Sequence, residues 1–245
     1  MKAFNKAVRW IFRKKKSAFI ADDLKDSHVQ PLIQQTRDIF NEAVKSGIKH
    51  EIPELMQQHF DENVYLFSGA KTYRQLKEVT DMLRDQNRNI KPFHQFFSDV
   101  RQVHNTYNQN YLQAEYIFAT QSAQMAEKWN EFQEDGDRYN LQYRTANDDR
   151  VRDEHQALHD TTLPPSDPFW SKYLPPNGWR CRCTTVQVRK SKYPESNSKN
   201  AIEAGERATE GRNDIFRFNP GKEQIIFPKH HPYFTEMPKT EKTET

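Results

Sequence analysis

The sequence predicts an α+β fold: a mainly helical N-terminal part, then a small, mixed, loop-rich core that carries a His/Cys motif. Three observations predict it. Apolar residues recur at three- and four-residue steps through most of residues 1–132. After residues 134–137 (Glu-Asp-Gly-Asp) the texture changes, and two short strand-like runs appear, residues 141–145 (LQYRT) and 183–188 (CTTVQV). Between these runs, residues 160–179 are too rich in proline to form a regular element for long.

The chain of 245 residues has room for one large domain or two small ones. It is 35% hydrophobic and 29% charged, with a mean hydropathy of −1.05, so its helices should carry thin apolar stripes. Aromatic residues at 12% argue against full disorder. No apolar run approaches the roughly 18 residues of a membrane span. The basic start lacks the unbroken apolar stretch and small-residue cleavage site of a secretion signal, which predicts a reducing cytoplasm. Residues 1–16 carry seven basic side chains and no acid, leaving 30 basic against 34 acidic residues in the remainder. The positive charge therefore sits on an N-terminal arm and the body is mildly acidic.

Taken in order, Phe4, Val8, Ile11 and Phe12 fall at helical spacing among Lys2, Lys6, Arg9, Arg13, Lys14, Lys15 and Lys16. This predicts a basic amphipathic helix over 1–16 that either meets phosphates, an anionic membrane or an acidic partner surface, or lays its stripe on the body. Residues 17–135 should be helical. Val29, Ile33, Ile39, Phe40, Ala43 and Val44 form one stripe that Gly47 stops. A short helix follows around residues 52–60, then a turn at Ser68–Gly69, a helix through Leu76, Val79 and Leu83, and one or two long helices over 91–129. Within the last, Leu112, Tyr116, Ala119, Ala123 and Ala126 place small residues where a second helix can approach closely. Residues 136–235 form the core. Its helix over 145–159 is expected to be capped by Thr145, with Asp148 and Asp149 at the positive end of the dipole. Residues 193–214 read as loop with a frayed helix, and 215–234 as two extended pieces about Asn-Pro-Gly. Residues 236–245 are expected to be a disordered tail.

Cys181 and Cys183 are the only cysteines, one residue apart. That spacing makes a poor disulfide, but both thiolates can reach one borderline cation. His155 and His159 lie four apart on the predicted helix, so His155, His159, Cys181 and Cys183 form a candidate tetrahedral zinc site that ties off the proline loop. The alternative is a buried pair of thiols beside a histidine satisfied by Asp149 or a carbonyl. His230 and His231 are rival donors if the tail folds back. Arg144, Asp148, Asp149, Arg150 and Arg152 form a polar cluster that could serve catalysis or hold phosphate, though such clusters are more often ion-pair networks; Asp148 and Arg152 are spaced to pair on a helix.

The run Arg144, Thr145, Asp149, Arg150, Val151, Arg152, His155, Leu158, Pro175, Pro176, Trp179, Cys181, Arg182, Cys183 resembles the core of the phage Mu F-like minor head proteins, the phage head morphogenesis family. Residues 67–79 and 110–129 resemble the family's helical part, and 218–222 and 227–234 its usual ending. The resemblance extends over roughly 65–235. Asp160, following His159, stands where the family often has glycine. The resemblance implies a minor head protein of a tailed phage or prophage, working with the portal and other head proteins and, as some relatives do, with phage DNA. It implies a place in the virion and, during assembly, in the host cytoplasm. It implies no turnover, no catalytic residue and no small-molecule substrate. Some relatives carry a further toxin-like module, which is not expected here. Two other functions compete: a metal-dependent hydrolase or nuclease built on His155, Cys181 and Cys183, with Glu154 or Asp149 as base, and a DNA-binding module that acts through the basic arm.

Overall fold

The computed structural model describes residues 1–238, the side chain of residue 137 excepted, so the tail expected over 236–245 lies outside the described residues from 239 onward. Helices dominate and one small sheet accompanies them, which is the α+β class the sequence predicts. No helix among the described residues is long and apolar enough to cross a membrane. The chain folds as two compact units that do not follow the sequential partition at 16, 135 and 235. The first comprises Met1–Asn41, Val64–Gln113 and the residues from His230 on; the second comprises Glu42–Asn63 and Ala114–Lys229.

In the first unit, helix α1 (Lys2–Lys14) is not a projecting arm. Phe4, Ala7, Val8, Trp10 and Ile11 are buried at helical spacing. Phe12 packs edge-on against Phe93, and the Arg9 guanidinium lies 5.3 Å above the same ring. Phe93 opens helix α4 (Phe93–Asn105), which a π-helical turn, Thr106–Tyr111, prolongs. Helix α2 (Gln30–Gly47) and helix α3 (Glu54–Asp81) each supply part of this unit.

Helix α3 runs straight through the turn expected at Ser68–Gly69. Local propensity is overruled there by burial: Phe60, Val64, Phe67, Leu76 and Val79 are all fully buried along one continuous stripe. The Ser68 hydroxyl is itself buried and donates to the Val64 carbonyl at 2.8 Å, one turn back in the helix. Tyr107 donates to Glu78 at 2.7 Å, and Tyr233 of helix α10 (Pro232–Thr235) stacks on Tyr107. The buried ammonium of Lys71 lies 5.5 Å from the Tyr107 ring and 5.7 Å from that of Tyr233.

The second unit holds helix α5 (Leu112–Asp135, from Ala114 on) and a three-stranded antiparallel sheet. Its strands are β1 (Tyr139–Arg144), β2 (Thr162–Leu163) and β3 (Thr184–Arg189), in the order β2-β1-β3. β1 and β3 are the two runs expected from the sequence; β2 is too short to announce itself. The register sets Arg144 opposite Thr184 and Gln142 opposite Thr162. Antiparallel pairing thus brings the exit of β1 beside the entry of β3, where the cysteines stand.

Helix α7 (Phe169–Tyr173) interrupts the proline segment. It packs against helix α8 (Ser198–Ala208), a full three turns where the sequence suggests a frayed helix. Asn197 caps α8 by accepting from the Asn200 amide at 3.0 Å. The expected extended pieces after residue 214 are replaced by a 3₁₀ turn (Gly211–Phe216) and a short helix α9 (Pro220–Glu223). Asn219 accounts for the difference, because its side-chain oxygen accepts from the amides of Gly221 and Lys222, with proline at the first helical position.

Candidate metal centre

The helix expected over 145–159 exists only as α6 (Asp153–Gln156). Thr145 ends the strand rather than capping a helix, because β1 pairs with β3 as far as Arg144. Residues 148–151 instead form a turn closed by the Val151 amide on the Asp148 carbonyl. On the far side of β1, the Asp160 amide donates to Tyr143 and the Tyr143 amide to Thr161, both at 2.9 Å, fixing the segment that carries α6. The proline loop is held by Asn177, which accepts from the Tyr143 hydroxyl at 2.9 Å and donates to the Leu174 carbonyl. Trp179 is set edge-on against Phe118 and Phe216, each ring centre 5.1 Å away.

These restraints bring three of the four expected ligands together. His155 Nδ1 lies 3.7 Å from Cys181 Sγ and 3.6 Å from Cys183 Sγ. All three residues are buried, at 3%, 3% and 7% exposure, and both cysteines are free thiols. A tetrahedral zinc with bonds of about 2.3 Å to sulfur and 2.05 Å to nitrogen requires nitrogen–sulfur separations of about 3.6 Å. The two observed edges therefore fit the group. The donor set, two thiols and an imidazole, is that of a borderline cation.

The thiols are electrostatically unequal. The hydrogen bond from Cys183, and then that from His155, hold the Cys181 thiol well below its usual range, while the same bond and burial push Cys183 up. A cation held here would require both thiols in the thiolate form. Burial also pushes the nearby Tyr143 phenol up, so it remains a neutral donor.

His159 does not join the group. Its Nδ1 accepts the Thr145 amide at 3.1 Å and meets the Thr145 hydroxyl at 2.8 Å, so it serves the end of the strand. The four-residue spacing that would align it with His155 presumes a helix that has already ended at Gln156. His231 lies in the first unit against Phe67 and Tyr233, and His230 is exposed; neither belongs to the group.

The polar cluster is an ion-pair network, but not with the expected partners. Asp148 is clamped by Arg182, both carboxylate oxygens lying 2.6 Å from its two terminal nitrogens, which holds the Asp148 carboxyl well below the usual range. Arg152 instead donates to the Trp179 carbonyl at 2.7 Å. Arg144 pairs with Asp160 at 2.8 Å, Arg150 reaches Asp148 only at 3.5 Å, and Asp149 is exposed. Above the triad lies a cavity of about 390 Å³, lined by Arg150, Arg152, Arg180 and Arg182 together with His155 and the cysteines. Among the described residues, no carboxylate lines it.

A second His/carboxylate group escaped the sequence reading. The buried Glu127 accepts the Lys49 amide at 2.7 Å and the His50 amide, while His50 Nδ1 lies 3.2 Å from both Glu127 and Glu131. Glu127 thereby satisfies the backbone where the chain leaves α2. Its residues are some 77 positions apart, so only the fold unites them.

Residues 69–186 match the family described as Phage Mu protein F like protein. The match ends just past Cys183 and so contains the whole triad; the expected family ending at 218–234 lies beyond it. A stretch of 54 residues, 22% of this chain, is 39% identical to the Escherichia phage Mu protein provisionally named capsid assembly protein F, and corresponds to 12% of that protein's length. No solved structure matches the chain.

Proposed function

Starting from a chain whose residues 69–186 form a Phage Mu protein F like segment, we propose that the protein is a minor head protein of a tailed phage or prophage. In this reading it takes part in head morphogenesis, located in the virion and docked on the portal or another head protein, without turnover. The phage Mu relative's name refers to capsid assembly, which supports this reading. The observation that carries it is that the family-matched segment closes on the convergence of His155, Cys181 and Cys183. His155 Nδ1, Cys181 Sγ and Cys183 Sγ would hold a zinc ion. That ion would fasten the base of the proline loop, contributing on the order of 10–16 kcal/mol of apparent binding free energy at a structural site. The loop then presents a fixed shape to a partner. The exposed basic side chains of α1, namely Lys2, Lys6, Arg9, Arg13, Lys14 and Lys15, would face DNA or an acidic protein surface; Lys16 is instead paired with Asp23 at 2.8 Å.

With three ligands, the metal would retain an open position, which favours a hydrolase or nuclease as the second reading. Against it, the cavity has no carboxylate among its lining residues to serve as base. The test has two parts. Purified protein should contain about one zinc per chain, lost in Cys181→Ser and His155→Ala and kept in His159→Ala. Phage carrying Cys181→Ser should yield few normal heads, and the wild-type chain should co-purify with its cognate portal. Metal-free protein with both thiols titratable in the folded state would remove the zinc reading. Normal heads from the Cys181→Ser phage, with no association with any head protein, would remove the assembly reading.

A further inference from the structure

The cavity above the triad has a composition that a purely structural node does not require. Four arginines, Arg150, Arg152, Arg180 and Arg182, line it beside the apolar Ile117, Ala146 and Val151, with no acid in the lining among the described residues. Two of them are committed to Asp148, Arg182 closely and Arg150 loosely. The other two are not neutralised. Arg152 spends one nitrogen on a carbonyl, and Arg180 has no acidic partner among the described residues. Arg180 is also one of the few non-glycine residues in left-handed backbone, with φ 57°. Such a conformation is disfavoured and is sustained only where surrounding structure fixes it. Here the packed Trp179 ring on one side and the buried Cys181 on the other fix it, and they hold the Arg180 side chain, which is exposed, at the mouth of the cavity.

We infer that this cavity is a binding site for a phosphate group, gripped by Arg180 and Arg152 with Arg150 at the rim. Planar guanidinium groups pair with phosphate oxygens through two parallel charge-assisted hydrogen bonds, which lysine cannot reproduce. At about 390 Å³ the cavity lies at the small end of ligand pockets, room for one phosphate-bearing unit and not for an extended ligand. Arg182 has a different part: with both terminal nitrogens on Asp148, it braces the loop that carries Arg150. The phosphate could be a free oxyanion or one unit of a nucleic-acid backbone. The inference rests on the arginine rim and stands whether or not the triad holds zinc.

Calorimetric titration of the full chain with inorganic phosphate, and separately with a short single-stranded oligonucleotide, tests this. Saturable binding is expected with at least one probe, weakened roughly fivefold or more by Arg180→Gln and further by Arg150→Gln/Arg180→Gln. Lys190→Gln/Lys199→Gln, at exposed lysines outside the cavity lining, should leave it unchanged. Tighter binding of the oligonucleotide than of inorganic phosphate would identify the source as a nucleic-acid backbone, and the reverse as a free oxyanion. Thermal melting and zinc content of Arg180→Gln, measured alongside, should match the wild type, so that loss of phosphate is not confused with loss of the node. No saturable binding of either probe by the folded wild-type chain, or binding that Arg180→Gln leaves untouched, overturns the inference.

Discussion

His231 shows how one buried group ties stability to pH. Burial, and then the Lys71 ammonium, push its imidazole down from 6.5 to about 3, while its Nδ1 accepts the Tyr233 amide at 3.2 Å. The folded state holds this ring neutral, whereas the unfolded chain protonates it below about pH 6.5. Its contribution is therefore complete above pH 6.5 and is lost as pH falls from 6.5 toward 3, with a limiting slope of about 1.4 kcal/mol per pH unit. His231→Asn keeps a side chain able to cap α10 and removes the titration. Urea melts between pH 7 and pH 4.5 should show wild type losing more stability than this variant by roughly 1–3 kcal/mol; parallel losses would show that His231 is not the group responsible. The same residue illustrates why a sequence suggests rivals that a structure dismisses. Adjacent histidines before a proline read as metal donors, but His231 Nδ1 is taken by the Tyr233 amide and the residue is not part of the His155, Cys181 and Cys183 group.

Two glycines in helices make opposite predictions at the level of elements. In α8, a Cβ on Gly205 would fall 2.6 Å from the Tyr173 ring of α7, so Gly205→Ala should destabilise by about 1–3 kcal/mol. In α3, a Cβ on Gly69 meets nothing within 4 Å, so Gly69→Ala should stabilise by roughly 0.5–1 kcal/mol. Chemical denaturation of the two variants reads both, and a destabilised Gly69→Ala would mean that the space beside Gly69 is not open in the folded chain. The pair also shows what was legible. Long amphipathic stripes, and the alternation of β1 and β3, can be read because their periodicity repeats over many residues. The turn misplaced at Gly69 and the helix overextended beyond Gln156 share one cause: local signals of two or three residues are outweighed by burial or by pairing with distant strands. Cys181 and Cys183 were legible because they are rare, and His155 because it lies within the same motif. The clamp of Arg182 on Asp148, 34 positions apart, was not, since nearer basic residues offered the same charge.

Charge has a different meaning at the scale of the molecule once α1 is seen to be packed. Deleting residues 1–16 would remove Phe4, Val8, Trp10 and Ile11 from a core, so a truncated chain that no longer binds would report misfolding as readily as a missing charged face. The cleaner variant neutralises Lys2, Arg13, Lys14 and Lys15, all exposed, to glutamine. If α1 meets DNA, the slope of log affinity against log salt should flatten by roughly 0.9 for each phosphate no longer neutralised, with folding unchanged. An unchanged slope would leave α1 to a protein partner or to the fold alone. The discontinuity of the first unit also has a consequence for how the chain is made. Helix α10 puts Tyr233 on Tyr107, and Glu236 pairs with Arg74, so the first unit is incomplete until residues beyond His230 have been made. All of residues 114–229 must be translated in the interval, several seconds at a ribosomal rate of roughly 5–20 residues per second. The second unit, whose last residue is Lys229, has its whole sequence first. The unit that contains residues 1–41 is therefore the one that finishes folding last, and a nascent chain arrested at residue 229 would leave it waiting for helix α10.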